Sequence, residues 1–374
     1  MTEINKSSQQ IIKESNMRMV FGLIHQHGVI SRADIKKITS LSATTVSSLV
    51  EELIGENFVL ECGMKETKTS GRKAIMLKIH SDGGYFIGLD VRKNHIFAQL
   101  CGLDFAIKES LEVSVKKGDS LVTGILHAVE HLGKGKRVLG VTLGLPGVID
   151  PKTNTVISST VLATEDVKDI YSVLKEAMPD VNIYIKNNSG LVALCEREFG
   201  GHAQINNLIS IDIDDGVGAG VLVDGVIYDG NDGFAGEFGH ISVNLNGRKC
   251  SCGNYGCLEL YASVPQILES TKTDSLRSLR EKLDQNDEQV IKGLGEVSKA
   301  LAFGINNIVN ILNPELIVIG GDAPLLGERF LEMIKDVFSC ISLIKDTDIV
   351  LSGLTVNPVA MGGVRYAFDM IFSK

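Results

Sequence analysis

The sequence predicts an α/β protein: a small, mostly helical winged helix-turn-helix head in front of a two-lobed body. Three features carry that expectation. Two short capped helix patterns followed by two strand patterns fill residues 1–80. From Gly84 onward an order of strands and then helices occurs twice. Within the second occurrence, Ala235 to Glu259 (AGEFGHISVNLNGRKCSCGNYGCLE) gathers two carboxylates, an imidazole, three cysteines and five glycines.

In the head, Met17, Val20, Phe21 and Ile24 stand at the i, i+3, i+4, i+7 spacing of an amphipathic helix over residues 17–28, ending at Gly28. Ser31 caps a helix that runs to about Thr39, and Ser42 caps another over 43–54. Val46, Leu49, Val50 and Leu53 face inward in the latter. Thr44, Thr45, Ser47 and Ser48 are left outward on its first turns, and with Ser42 they make a surface of short hydroxyls that can approach phosphates and base edges. Two short helices joined by a tight turn read as a DNA-binding helix-turn-helix. FVLEC and AIMLKIH are then the strands of a wing, joined by the basic GMKETKTSGRK. There Arg72 and Lys73 follow Gly71, a pattern suited to the negative potential of a narrow minor groove.

In the body, residues 85–91, 95–104 and 106–115 are strand patterns, followed by a helix at 121–132 and a strand at 137–145. Strands recur at 208–214, 218–225 and 226–230, with a long helix at 296–312 and a strand at 315–321. His240, Cys250, Cys252 and Cys257 form H-x9-C-x-C-x4-C, one nitrogen and three thiolates, the ligand set of a closed structural Zn2+ site. Gly247, Gly253 and Gly256 are expected at positive φ, folding the loop onto one ion. The metal would fix Glu237, three residues before His240, and Glu259, two after Cys257. Paired carboxylates beside an imidazole suit a ligand with many hydroxyls, such as a sugar.

The chain has 374 residues, 44% of them hydrophobic, enough for more than one domain. It has no run of eighteen apolar residues and no apolar segment near its start, which argues against a membrane span or signal peptide. Seven cysteines, three of them clustered, suit the reducing cytoplasm. Residues 1–80 carry a formal +3 and the remainder −12, so nucleic-acid contact is expected at the head alone.

G-F-A-G-E-F-G-H followed by G-x-x-C-x-C-G-x-x-G-C-x-E resembles the signature of the ROK family of repressors, open reading frames and sugar kinases. That resemblance implies an actin- and hexokinase-like (ribonuclease H-like) body. A winged helix-turn-helix domain at 1–80 would precede a sugar-kinase-like domain at 81–374. One lobe would span about 81–195 with a C-terminal helix at about 359–374, the other about 196–358 with the zinc loop at 240–257. It also implies metal binding by His240, Cys250, Cys252 and Cys257, and sugar contact by Glu237, His240 and Glu259.

Three departures from the kinase pattern stand out. The phosphate-binding D-x-G-G-T is replaced by Asp90-Val91-Arg92-Lys93-Asn94, which lacks both glycines. G-T-G-x-G is replaced by Asp214-Asp215-Gly216-Val217-Gly218, placing two carboxylates where a polyanion would sit. Asn188, after Asn187, occupies the place of the aspartate base; an amide can bind a sugar hydroxyl but cannot take its proton. Asn187 and Asn188 are therefore expected to bind sugar, with no catalytic residue.

Gly147, Asp150, Gly320 and Gly321 are expected to shape turns, whereas Asn182 and Lys186 show no partner pattern. The reading is a sugar-responsive repressor of a carbohydrate-utilisation operon, not an enzyme. Its expected partners are operator DNA, a monosaccharide of the xylose, glucose or N-acetylhexosamine class, and a second or further copy of the chain as dimer or dimer of dimers. CSCGNYGCLELYAS resembles xylose-responsive members. The alternative is an ATP-dependent sugar kinase with an appended head.

Overall fold

The computed structural model describes residues 8–64, 74–116, 118–159 and 161–373. The head comprises α1 (Ser8–His27), β1 (Val29–Ser31), α2 (Arg32–Thr39), α3 (Ala43–Gly55), β2 (Val59–Met64) and β3 (Ile75–Ile79). α1 starts well before its buried stripe of Val20, Phe21 and Ile24, because residues 8–16 are helical without burying a face; Ile11 and Ile12 stay exposed. Gly28, at φ 68°, ends it. Ser31 Oγ accepts the Asp34 N–H, and α2 stops at Ser40 in the left-handed region. Ser42 Oγ accepts the Thr45 N–H at 3.0 Å, opening α3. The strands pair in the order β1-β3-β2, both pairings antiparallel.

The body begins with β4 (Tyr85–Arg92), β5 (His95–Gly102), β6 (Ile107–Ser114), α4 (Leu121–Gly133) and β7 (Val138–Leu145). It continues through the hairpin β8 (Val148–Asp150) and β9 (Thr155–Ser158), then α5 (Thr164–Val167), α6 (Ile170–Ala177), β10 (Asn182–Asn187) and α7 (Asn188–Phe199). Next come β11 (Leu208–Ile213), β12 (Val217–Val223), β13 (Val226–Ile227), α8 (Glu259–Ala262), α9 (Val264–Thr271), α10 (Leu276–Asp284) and α11 (Glu288–Leu312). The chain ends with β14 (Leu316–Gly321), α12 (Glu328–Ile341), β15 (Asp348–Leu351) and α13 (Pro358–Phe372).

Two five-stranded sheets result, β10-β7-β4-β5-β6 and β13-β12-β11-β14-β15. In the first, β4, β5 and β6 are successive antiparallel neighbours; in the second, β11, β12 and β13 are. Each sheet thus opens with a three-stranded meander and is completed by two strands that arrive after helices, added beside the meander's first strand. One topology is used twice, and the strand-then-helix recurrence in the sequence is this duplication.

The described chain forms two compact units, Met1–Leu143 with Ile170–Tyr184 and Gly363–Lys374, and Gly144–Asp169 with Ile185–Gly362. In the first unit the head is packed on the body through aromatic rings. Phe21 stacks on Phe372 at 4.3 Å between centroids and lies 5.9 Å from Phe368, and Phe58 meets Phe372 edge-on at 5.3 Å. His25 Nε2 lies 3.1 Å from the Leu103 carbonyl, and burial, then the Arg365 charge, hold the imidazole below its usual pKa. In the second unit, α11 and α12 cover one face of the sheet, with Leu294, Leu301, Ile305, Phe330 and Ile334 against Ile211, Ile317 and Ile319. Among the described residues no helix is long and apolar enough to cross a membrane.

Candidate ligand site and metal cluster

His240 closes a short 3-10 turn, Phe238–His240, and points Nδ1 at Cys250 Sγ, 3.7 Å away. Cys252 Sγ and Cys257 Sγ lie 3.6 Å apart, and the four donor atoms all fall within 4.8 Å of one another. A tetrahedral ion with metal–sulfur bonds of about 2.3 Å has edges of roughly 3.8 Å, so these donors fit one ion with small adjustments. The cluster of His240 with Cys250, Cys252 and Cys257 can therefore hold a metal ion.

Burial raises the Cys250 thiol, but hydrogen bonds from Cys252, His240 and Cys257 outweigh it and bring it down to about 7; burial and its neighbouring thiols push Cys257 up to about 12. Backbone bonds from Val243 to Gly256 and from Leu258 to Ile241 zip the two ends of the loop together. Gly253 and Gly256 sit at φ 95° and 65° as expected. Gly247 does not. It is needed for close approach instead, since a Cβ there would lie 2.4 Å from Tyr261 Oη.

The run G-V-G-A-G, Gly216 to Gly220, leads into β12 and admits close neighbours. A Cβ on Gly216 would lie 2.9 Å from Glu259 Oε2, and one on Gly218 would lie 2.7 Å from Ser189 Oγ. Gly220 admits the backbone of α7, since a Cβ there would meet Ser189 O at 1.9 Å. Along the open edge of the strand, Ala219 N–H donates to Gly236 O, and a Cβ on Gly239 would meet Val217 O at 2.2 Å. Ser189 in the first turn of α7, the segment bearing Glu237 and His240, and Glu259 at the start of α8 thus all adjoin residues 216–220, the turn into β12 and its first residues. Glu237 Oε2 is 3.8 Å from His240 Nε2, the ring edge opposite the metal-facing nitrogen. No described residue hydrogen-bonds the Glu259 side chain, which leaves its lone pairs for a ligand.

Asn187 and Asn188 end β10 and open α7. Asn187 is committed to the protein: its Oδ1 accepts the Ser189 N–H at 2.8 Å, and its Nδ2 donates to Gly147 O at 2.7 Å. Asn188 Oδ1 lies 3.1 Å from the same N–H, so its amide sits at the start of α7. Gly147 (φ 129°) and Asp150, which accepts the Lys152 N–H, do shape turns.

The sequence profile of the ROK family matches residues 86–345. The xylose repressor of Caldicellulosiruptor bescii is 30% identical over 392 aligned positions, covering 97% of this chain and 98% of its own. The chain belongs to the ROK family. Among solved structures, a ROK family transcriptional regulator described as a homologue of the E. coli Mlc protein is 24% identical, with a TM-score of 0.84 over 96% of this chain and 97% of its own. The ROK hexokinase of Thermus thermophilus is 20% identical, with a TM-score of 0.68 over 78% of this chain and all of its own. These likenesses establish the actin- and hexokinase-like fold of the body and extend through the head.

The segments that differ from ROK kinases can be followed in the structure. Asp90 is 4% exposed, and its Oδ2 receives Arg92 Nε at 3.1 Å at the end of the β4–β5 hairpin. The two aspartates after β11 differ in their surroundings. Asp214 Oδ1 accepts the Asp322 N–H at 3.0 Å, against Gly321 at φ 67°, and so braces the turn after β14; Asp215 alone is exposed.

Lys186 is a residue that sequence reasoning missed. Its side chain is 6% exposed and ion-paired with Asp229, while Asn182 Nδ2 donates to Leu139 O. Both partners are remote in sequence, so no local pattern could signal them. In the head, Ser42 Oγ lies 2.7 Å from the hydroxyls of both Thr44 and Thr45, Ser48 is exposed, and Ser47 is half-buried. Arg72 and Lys73 lie outside the described residues.

Proposed function

We propose that this ROK protein is a sugar-responsive, DNA-binding repressor of a carbohydrate-utilisation operon. Residues 1–80 would serve as the operator-binding domain and the body as a sensor without kinase activity. Two observations support the reading: the backbone segments bearing Glu237 with His240, and the Glu259 carboxylate, adjoin the same stretch at residues 216–219, and the position of the catalytic base holds Asn188. Carboxylates accept hydrogen bonds from neighbouring sugar hydroxyls, and Asn188 adds a donor and an acceptor without removing a proton. A neutral monosaccharide suits this carboxylate-rich surface better than a phosphorylated one. The xylose-repressor relative favours xylose within a class that includes glucose and N-acetylhexosamines.

Zn2+ would be the ion held by His240, Cys250, Cys252 and Cys257. With four protein ligands it supplies structure, holding Glu237 and Glu259 at either end of one loop. Ser42, Thr44, Thr45, Ser47 and Ser48 would face the major groove, with Arg72 and Lys73 contacting the minor groove or its phosphates. Binding as a homodimer would match a palindromic operator. A sugar changes operator affinity only by binding the two conformations differently, a coupling of about 1–3 kcal/mol in typical cases.

The test is a thermal-shift screen with xylose, glucose and N-acetylglucosamine, followed by operator binding with and without the stabilising sugar. Stabilisation by one sugar and a changed operator affinity are expected. The kinase fold favours a second reading, sugar phosphorylation. Turnover of labelled ATP with any of these sugars at ordinary kinase rates would replace the proposal.

A further inference from the structure

The ion pair of Lys186 and Asp229 joins two segments that the proposed sugar site needs in register. Lys186 is the penultimate residue of β10, directly before Asn187 and Asn188. Asp229 starts the loop that leads to Glu237 and His240. The pair is largely withdrawn from water, with side-chain exposures of 6% and 25%.

Neighbouring contacts close a triangle around it. Asn187 Nδ2 holds Gly147 O at 2.7 Å, and a Cβ on Gly233 would fall 2.0 Å from Ile149 O. The hairpin of Gly147 and Ile149 is thereby tied to both the Lys186 segment and the Asp229 loop. Within that loop Gly230, Gly233 and Gly236 all have positive φ (72°, 83° and 89°), Ala235 N–H donates to Asp229 O at 3.2 Å, and Gly236 O accepts the Ala219 N–H at 3.1 Å.

We infer that Lys186 is a positioning residue: its ammonium holds Asp229, and through it the loop 229–240, so that Glu237 and Asn188 face one ligand together. This rests on the proposed sugar site, which Lys186 serves without touching the sugar. A loop rich in positive-φ glycines orders its carboxylate only where something fixes its ends. The metal cluster fixes the end at His240, and Lys186 fixes the other. Removing one partner of a buried pair leaves an uncompensated charge and lowers stability, whereas an apolar replacement of both is often neutral, so the double variant separates positioning from folding.

The experiment compares wild type with Lys186→Met, Lys186→Arg, Asp229→Asn and Lys186→Met/Asp229→Leu in the full chain, titrating D-xylose, D-glucose and N-acetylglucosamine calorimetrically. Amide exchange of residues 230–236 is followed without sugar. Lys186→Met and Asp229→Asn are expected to weaken the best sugar by roughly tenfold and to speed exchange in the loop, Lys186→Arg to keep most of the affinity, and the double variant to lose less than the two single losses combined. Metal content and sugar-free operator affinity should stay at wild-type values.

Wild-type sugar affinity and loop protection in both single variants would overturn the inference while leaving the sugar site standing. Equal loss in Lys186→Arg and Lys186→Met, together with lost operator binding, would also overturn it, by making Lys186 a general folding residue. Wild type that binds none of the sugars would sink the proposed function itself, and unchanged loop exchange would still refute the latch independently.

Discussion

Replacing Glu259 by Gln keeps the shape of the side chain and removes its charge, which isolates what the carboxylate contributes. Glu259 opens α8, and a Cβ at position 216 would lie 2.9 Å from its Oε2. No described residue hydrogen-bonds the carboxylate, so folding does not depend on it in the way it depends on Asn187 or Asp214. With a sugar bound, two hydroxyls can donate to it. A hydrogen bond to a charged group contributes about 1.5–3 kcal/mol against about 1 kcal/mol for a neutral one. Losing the charge at two bonds should therefore cost about 1–4 kcal/mol, or roughly 5-fold to several-hundred-fold in sugar Kd. Calorimetric titration of the stabilising sugar measures this, with fluorescence anisotropy on operator DNA as the control. Operator affinity without sugar should stay within about twofold, and the Tm within a degree or so, as for ordinary surface substitutions. An unchanged sugar Kd would show that the carboxylate faces no ligand, and a parallel fall in operator affinity and Tm would make Glu259 a folding residue.

Cys252→Ser removes the exposed member of the metal tetrad; elemental analysis should fall from about one equivalent of metal per chain toward zero, with weakened sugar binding, and full retention would refute the assignment. Ser42→Ala should cost about 1 kcal/mol of helix stability by leaving the Thr45 N–H uncapped, and should lower operator affinity without altering sugar Kd; unchanged operator affinity would place α3 away from the DNA. Glu196 lies buried in α7 with neither carboxylate oxygen in good hydrogen-bond geometry to a described residue, and burial, opposed by the nearby Ser352 hydroxyl, raises its pKa above the usual 4.5. The folded state then holds this proton more tightly than the unfolded chain, so stability drains away as pH rises from about 4.5 through the folded pKa. Glu196→Gln should be more stable than wild type at pH 7 by about 1–3 kcal/mol, an advantage that shrinks in acid; Tm curves running parallel from pH 4 to 8 would refute it.

Local chemistry is legible in the sequence itself. Ser31 and Ser42 were readable as helix caps because a cap joins residues two or three apart, and the metal tetrad because its ligands share one short loop. The duplicated sheet showed as a recurrence of strand and helix periods. The kinase departures at Arg92 and Asn188 were legible as residue identities. The start of α1 was not, because residues 8–16 form helix without burying a stripe, and periodicity reports burial rather than backbone conformation.

What the tertiary structure alone decided is which backbone comes near which. Asp214 and Asp215 are adjacent in sequence and chemically alike, yet one braces the Asp322 turn and the other stays in water. Lys186 finds Asp229 across 43 residues, and Gly220 is glycine because the backbone of α7 passes over it. Caps and metal loops are encoded by neighbours a few residues apart. Ion pairs and close approaches depend on distant segments meeting, and the chain's linear order does not record those meetings.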